Sequence, residues 1–534
     1  MLRIISEITE RFFTRYSEEY LAPIRTQDII TTTLIASIAM LGMWFATNQF
    51  GPGIGNDAVT YIAGARNLLD GKGISWISAD GIITPITHFP PLMSLGIALI
   101  VPILGNAITA GLVINYLSLV ANVVLVWLII RSLTNSNVFG WVASLLFAIT
   151  PALFDLHLWA MTDAPYLTLS MSAIYFMAKY LNDHNRAYLV TSGLFVGMAY
   201  LLRYAGVALY VTLAIAIILH DWKEWRKNII NIAFFTSISL TPILGWYFRN
   251  IVLTGAISTY RIEPHLHMAD QMMGGLLLIL DWYLPGRVLS LISSNAPFLV
   301  VTFVFVILVF NTLLGYVLLS RNREHSSFPQ ILLGIVALHL VAYFCMLYSS
   351  ATLTVIPPRI EERTLGPFNL SLLIVVLWAA CVFWSMKQRL LQVLLLTYFV
   401  FLGINRAIWT FGLIGKMHAN GRALTSVEMR TSETIHAIEQ LDLDFIYTDN
   451  TAALYLYSGL YSRNIPYAFN LKNSEIIFNF ESRDSFRQTM IERNATLILV
   501  GWPSEYSNNP GYEELWQDME LVGSYEDGMI FQMP

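Results

Sequence analysis

Cysteine is nearly missing from this chain of 534 residues: it has two, Cys345 and Cys381, each inside an apolar run. That excludes a disulfide framework, a cysteine-rich metal site and thiol catalysis. Charge is scarce as well. Only 13% of residues are Asp, Glu, Lys or Arg, the formal net charge is −5, and there is no block of Lys and Arg. Nucleic acid is thereby excluded as a partner, because neutralising its phosphates takes clustered cations. No repeat of fixed period, no low-complexity linker and no duplicated halves of the kind found in many transporters are present. What the chain has in excess is apolar surface, with 56% hydrophobic residues and a mean hydropathy of +0.58. A water-soluble globule does not have that composition, so most of the chain is predicted to lie in lipid.

The first apolar run, Ile29–Thr47, follows residues 1–28, where Arg3, Arg11, Arg15 and Arg25 mix with glutamates. That segment is too long and too charged for a cleaved signal peptide, and the run reads as an uncleaved anchor. Further runs long enough to cross a hydrocarbon core lie at about 107–131, 138–154, 164–181, 187–201, 204–220, 229–248, 291–320, 329–350, 367–386 and 390–405, roughly eleven spans in all. Pro91–Leu104 would be a twelfth, but it is short and Pro102 interrupts it. Treating it as re-entrant or interfacial puts Arg131, Lys179/Arg186, Lys223/Arg226/Lys227, Arg321/Arg323 and Lys387/Arg389 on the side of the basic N-terminus, as the positive-inside rule prefers. The outer face then receives Asn48–Pro90, the turn around Asp155–Asp163, Arg249–Arg287, Ala351–Gly366 and the C-terminal tail.

The expected organisation is a cytoplasmic segment 1–28, a transmembrane region 29–425 with an external loop 48–90, and an extracytoplasmic α/β domain 426–534. In the tail, Phe445–Thr448, Leu497–Val500 and Met529–Gln532 read as strands, and Ser432–Leu441 and Ser485–Asn494 as helices.

The external loops carry the polar motifs. After the turn-rich Gly51-Pro52-Gly53-Ile54-Gly55 come Asn56-Asp57 and then Val59, Ile62, Ala65 and Leu69 at helical spacing, with Gly71 as a stop. This predicts a short amphipathic helix at the membrane surface, headed by Asp57. An aspartate at that position ordinarily caps the helix. Asp163, in Thr162-Asp163-Ala164-Pro165, likewise heads a span with proline just inside its start. Arg203, Arg249 and Arg363 stand at the outer interface, against the usual direction of the charge bias; a single such arginine ordinarily snorkels to headgroups.

In order along the chain these motifs are Asn56-Asp57…Tyr61…Ala65-Arg66-Asn67…Gly71-Lys72-Gly73, Phe89-Pro90-Pro91-Leu92, Thr162-Asp163-Ala164-Pro165, Arg203-Tyr204, Trp246-Tyr247-Phe248-Arg249-Asn250…Thr254-Gly255 and Arg363-Thr364-Leu365-Gly366-Pro367. The series resembles the GT-C superfamily of integral-membrane glycosyltransferases that use polyprenyl-phosphate sugars, in particular bacterial relatives of protein O-mannosyltransferases and lipid A aminoarabinose transferases. The likeness covers approximately the first 370 residues. The chain departs in having Asn56-Asp57-Ala58 where Asp-Glu is common, Phe89-Pro90-Pro91 for Tyr-Pro-Pro, and Arg363-Thr364-Leu365 for Arg-Tyr-Leu.

The resemblance implies an inverting glycosyltransferase of the plasma (bacterial inner) membrane, moving a sugar from a polyprenyl-phosphate donor to the hydroxyl of a lipid, glycan or protein acceptor in the cell envelope. It implies Asp57 and Asp163 as catalytic residues, Asp57 as the base and Asp163 to orient the acceptor, hold a cation or position an arginine, with Arg203, Arg249 and Arg363 on the donor phosphate, and Tyr61 and His88 against acceptor or sugar. A donor that cannot leave the bilayer confines the chemistry to the headgroup layer, where these residues are expected. No cofactor or metal is assigned. His265 and His267, near Glu263 and Asp270, are a His-x-His on an external loop, weighed as a site for a divalent cation and set aside. His339, inside an apolar run, is expected to make one hydrogen bond within the bundle. The alternative, a membrane transporter or lipid flippase, would bury ionisable groups at span centres, and apart from His339 these are not found in the runs above.

Overall fold

The computed structural model describes residues 23–220, 223–257, 269–284, 297–320, 327–353, 360–438, 441, 443–470, 475–478, 483–500, 516 and 518–534. The N-terminal arginines Arg3, Arg11 and Arg15, the histidines His265 and His267 with Glu263, and the loop residues Arg287, Arg321 and Arg323 lie outside the described residues. The chain divides into two compact units, one of Met1–Ala46, Thr87–Gly96 and Gly111–Lys416, the other of Thr47–Ile86, Ile97–Ala110 and Met417–Pro534.

The first unit is helical, and the described parts of its apolar runs lie in helices. Among the described residues, seven helices have the length and hydropathy to cross a membrane: Thr26–Thr47, Ala107–Thr134, Trp225–Thr254, Phe298–Leu319, Phe328–Leu353, Gly366–Ser385 and Arg389–Asn420. The pair Asn137–Ala148 and Pro151–Leu158, bent by 61°, makes an eighth if it is one span. The remaining runs form Asp163–Asp183, Arg186–Leu202 and Gly206–His220, the last two of 17 and 15 residues. The protein is a multi-pass membrane protein. Leu92–Leu104 is a helix of 13 residues with Pro102 inside it. At a rise of about 1.5 Å per residue it falls short of a hydrocarbon core of about 30 Å.

Burial follows from what each helix faces. Phe328–Leu353 and Gly366–Ser385 are mostly enclosed by other helices, whereas Arg389–Asn420 leaves Leu390, Val393, Phe401, Ile408 and Phe411 exposed. In a span, such a face is covered by lipid tails. The helix interior still has to satisfy its polar groups. His339 shares a hydrogen bond with Ser371 (3.0 Å). Arg406 corrects the expectation that His339 alone among ionisable groups lies within a span: the helix runs on to Asn420, which places Arg406 well inside it and buried. Its guanidinium donates to the Thr150 hydroxyl and the Trp282 carbonyl. Thr410, one turn on, donates to the Ile149 carbonyl at 2.7 Å, so this helix satisfies the backbone freed by the 61° bend.

In the second unit, the C-terminal region is a small α/β fold. Its five-stranded sheet has the order Arg463–Asn464, Ile446–Thr448, Thr496–Val500, Gly528–Gln532, Glu520–Tyr525. The first three strands are parallel, and Gly528–Gln532 runs antiparallel to both of its neighbours. Phe445, Tyr447, Phe486, Met490, Leu497, Leu499, Met529 and Phe531 make its core. The expected strands and helices of the tail are found within a few residues, while Arg463–Asn464, Tyr467–Asn470, Glu475–Phe478, Glu520–Tyr525 and the helix Thr451–Ser458 are additional. Glu520–Tyr525 was illegible because it is an exposed edge strand whose register shifts between Leu521 and Gly523, so its apolar residues do not alternate.

The first loop folds with this region. Ala423 bridges Ile54, Leu424 N–H donates to the Ile54 carbonyl (3.0 Å), and the Thr425 hydroxyl donates to the Pro52 carbonyl (2.8 Å). The Asp80 carboxylate pairs with Arg463 at 2.7 Å. The helix Asn56–Leu69 is therefore not the half-exposed surface helix that its spacing suggests. Ala58, Val59, Tyr61, Ile62, Ala63, Gly64 and Ala65 are all buried, because alanines and a glycine on the second face let the hairpin Ser75–Ile77/Ile83–Pro85 and the helix Thr451–Ser458 pack closely.

Candidate active site

Asp163 and Arg203 are brought together by a helical hairpin. Asp163–Asp183 and Arg186–Leu202 run antiparallel through a short connection, so the first residue of one helix and the residue after the other meet at the same end. Asp163, 4% exposed, forms an ion pair with Arg203, 19% exposed. Thr162 holds the capping position and makes no side-chain cap bond, so Asp163 is the first residue of the helix rather than its cap. Its carboxylate still benefits from the positive end of the helix dipole.

The strands of chain around this pair are held from below. Asn115, on the helix Ala107–Thr134, donates to the Trp159 carbonyl, and Asn122 donates to the Ala164 carbonyl (3.2 Å) and meets His157 (3.1 Å). The turn proper is confined to Trp159–Thr162, since Asp155 belongs to the helix Pro151–Leu158, where it accepts from the Trp159 indole (3.2 Å). The corner after Arg186–Leu202 is as tight. The Arg203 carbonyl accepts from Gly206 N–H (2.9 Å), and a Cβ on Gly206 would stand 2.6 Å from the Tyr200 Cα. Only glycine fits.

Arg363 joins the same cluster. It lies in the turn Glu361–Gly366, which is closed by Leu365 N–H donating to the Glu361 carbonyl (3.0 Å) and by Thr364 bonding back to Glu361. Arg363 pairs with Glu361 at 3.4 Å and directs its guanidinium at the Met161 sulfur, two residues from Asp163. Tyr343 connects the two arginines. Its buried hydroxyl donates to the Thr364 carbonyl (2.8 Å) and lies within electrostatic reach of both Arg203 and Arg363. Tyr166, whose ring is 6.4 Å from that of Tyr343, donates to the Ala205 carbonyl (3.3 Å). The result is the buried Asp163 carboxylate, the half-exposed Glu361 carboxylate, two guanidinium groups at helix ends, and two phenols, Tyr166 in the first turn of its helix and Tyr343 in the interior of Phe328–Leu353. Such a set offers planar guanidinium donors to an anion, with Asp163 and the more exposed Glu361 balancing the two positive charges in its absence.

The other expected residues have different settings. Tyr204 donates to the Thr87 carbonyl (3.1 Å), which ties the segment of His88 to the Arg203 corner; the His88 ring packs edge-on against Phe89 at 4.8 Å. Arg249 sits on the helix Trp225–Thr254, its guanidinium 4.6 Å over the Trp246 ring and donating to Asn250 (3.0 Å). Tyr200 and Tyr247 share a hydroxyl hydrogen bond, and Tyr200 packs 5.6 Å from Tyr204, so a chain of aromatic rings leads from the Arg203 corner toward that end of the helix. In the second unit, Gly55 holds the N-cap position of Asn56–Leu69; Asp57, half-buried, is the second residue of the helix and not its cap. Tyr61, one turn on, is buried. Among the described residues no group of three or more His, Cys, Asp or Glu could hold a metal ion. Tyr343, Tyr166 and Met161 were given no role from the sequence: a tyrosine inside an apolar run, or a methionine in a turn, carries no polar signal of its own.

Residues 88–246, the stretch that holds His88, Asp163 and Arg203, match the family described as dolichyl-phosphate-mannose-protein mannosyltransferase. The chain is similar in fold to ArnT from Cupriavidus metallidurans in the apo state (TM-score 0.51, 14% identity, covering 94% of this chain and 97% of that one). That ArnT is also known bound to undecaprenyl phosphate. A second likeness is to the oligosaccharyltransferase of Archaeoglobus fulgidus in complex with zinc and sulfate (TM-score 0.52, 14% identity, covering 87% of this chain and 68% of that one). No curated protein matches in sequence. The fold is thus shared with these two proteins. The match over residues 88–246 and the shared fold are both likenesses to GT-C glycosyltransferases.

Proposed function

We propose that this protein moves a sugar from a polyprenyl-phosphate donor to a hydroxyl group of a cell-envelope acceptor, with inversion at the anomeric carbon, on the outer face of the bacterial inner membrane. The observation that carries the reading is the Asp163–Arg203–Tyr343–Arg363 cluster, which concentrates guanidinium groups at helix ends within and beside the stretch that matches a dolichyl-phosphate-dependent family. In this reaction the acceptor oxygen attacks the anomeric carbon as its proton passes to the Asp57 carboxylate. The bond from that carbon to the phosphate oxygen breaks, and its electron pair leaves with the lipid phosphate. Arg203 and Arg363 stabilise the charge that grows there, and Arg249 is the third cation of the donor site. Asp163 acts as a positioning residue, holding Arg203 in one orientation. His88 and Tyr61 contact the sugar or the acceptor, and the acceptor is a lipid, glycan or protein.

The test is Asp57→Asn in the full chain, reconstituted with a polyprenyl-phosphate sugar. A lost general base slows transfer by about 10²–10⁴-fold, while expression and thermal stability stay near those of the parent. Near-normal turnover would remove Asp57 from the mechanism. Comparing envelope lipids and glycans from cells with and without the protein, by mass spectrometry, identifies the sugar and acceptor.

A further inference from the structure

The second unit contains a cleft of about 320 Å³ lined by Asn56, Thr60, Trp76, Asp449, Asn450 and Asn464, among others. We propose that it seats a saccharide of the acceptor, an uncharged pyranose that presents its hydroxyl to the Asp57 end of the helix. The inference rests on the glycosyltransferase reading and adds to it the chemical class of the acceptor.

The lining matches a sugar in several respects. Its volume lies at the small end of ligand pockets, enough for one monosaccharide. Trp76 stands half-buried at its wall, on the strand Ser75–Ile77, its ring fixed 5.3 Å from that of Tyr455. The face of an indole is an apolar platform for the C–H face of a pyranose. Around it stand three side-chain amides and a carboxylate, which between them donate and accept as a ring of hydroxyl groups requires. Asp449 is held by the Val500 N–H (2.9 Å), and Asn450 uses its Oδ1 to cap the helix Thr451–Ser458 through Ala453 N–H (3.0 Å), so both are oriented before a ligand arrives. Charge separates acceptor from donor. The lining has one carboxylate and neither lysine nor arginine, which disfavours a phosphate and suits a neutral polyol. Position adds the last argument: Asn56 and Thr60, one turn apart on the helix Asn56–Leu69, line the cleft, and Asn56 immediately precedes Asp57.

The experiment is saturation-transfer NMR on the full chain in nanodiscs, with methyl α-mannopyranoside and methyl β-glucopyranoside as probes and a short blocked Ser/Thr peptide as the competing class. Saturation should reach the ring protons of at least one glycoside. Trp76→Ala should weaken that glycoside by about tenfold, the size of one lost aromatic contact, and Trp76→Phe should restore it. Asn464→Ala, at an exposed residue, gives a second variant that does not depend on core packing. In a transfer assay Trp76→Ala should raise the acceptor KM by a similar factor, with the donor KM unmoved. The proposal fails if neither glycoside takes up saturation, if both variants bind as the parent does, or if only the peptide does. Full turnover by Asp57→Asn together with intact, Trp76-dependent glycoside binding would instead overturn the catalytic reading and leave the cleft as a sugar site.

Discussion

At 4% exposure the Asp163 carboxylate has given up nearly all its water, and Arg203 is what replaces it. Taking one member of a buried pair away leaves the other charged and unpaired, which costs about 3–5 kcal/mol. Asp163→Asn or Arg203→Gln should therefore each lower the melting temperature of the full chain in detergent by several degrees. The double change Asp163→Leu with Arg203→Met, apolar and of similar bulk, should recover most of that loss while transfer stays abolished. Recovery of transfer together with stability would make the pair structural only. Lysine at position 203 keeps the charge but loses the planar fork, so Arg203→Lys should bind donor more weakly than the parent while remaining folded. Donor KM and melting temperature, read side by side, separate the two effects.

Among the elements, the corners matter more than the spans. Gly206 closes the corner that aims Arg203, and an added Cβ would press on the Tyr200 backbone at 2.6 Å, where no side-chain rotation relieves it. Gly206→Ala should destabilise the protein by about 1–3 kcal/mol and, because Arg203 is displaced, reduce transfer more than an equally destabilising change far from the corner. Gly366 is the comparison: its added Cβ would meet the Leu156 Cδ1 at 2.6 Å, the flexible end of a side chain. Gly366→Ala should cost less, and Leu156→Ala should suppress its effect. Thermal melts and initial rates of the three variants decide. The spans themselves were legible from hydropathy because lipid permits little but apolar helix. Asp57 and Asp163 were legible as residues at helix starts, but the capping role expected of them was not what they do. Gly55 and Thr162 occupy the cap positions, and a shift of one or two residues at a helix start is below what local pattern resolves.

For the molecule as a whole, the acid side of the pH range tests how the first loop is held. Burial alone would raise the Asp80 carboxyl, but hydrogen bonds from Ser78 and from the backbone, together with the Arg463 guanidinium, outweigh it and hold the group below its ordinary 3.8. A carboxyl depressed in the folded state adds stability above its unfolded pKa, and that stability is lost as the pH falls through the folded value. Asp80→Asn should thus be less stable than the parent near neutral pH, with the gap closing below 3.8; melts of the full chain across that range read the difference directly. The proposed orientation has its own test. With Cys345, the exposed cysteine, changed to serine, a cysteine introduced at Asn464 should react in intact cells with a thiol reagent that cannot cross the inner membrane. Protection until the cells are opened would reverse the topology.

Composition and hydropathy by themselves determined that the chain is a polytopic membrane protein ending in a small α/β region, since a bilayer admits so few backbone structures that apolar run length nearly decides the matter. The order of short motifs was enough for a resemblance to GT-C glycosyltransferases, which the match over residues 88–246 and the shared fold support. What tertiary structure alone decided is which charges share a space. Asp163 and Arg203 are 40 residues apart in the chain and Arg363 is farther still, and no local periodicity says that one hairpin and one turn bring them to Tyr343. The same holds for the cleft beside Asn56, whose walls come from a loop near the start and a domain at the end. Pairing of that kind depends on desolvation and side-chain geometry across the fold, quantities that a linear pattern of residues does not contain.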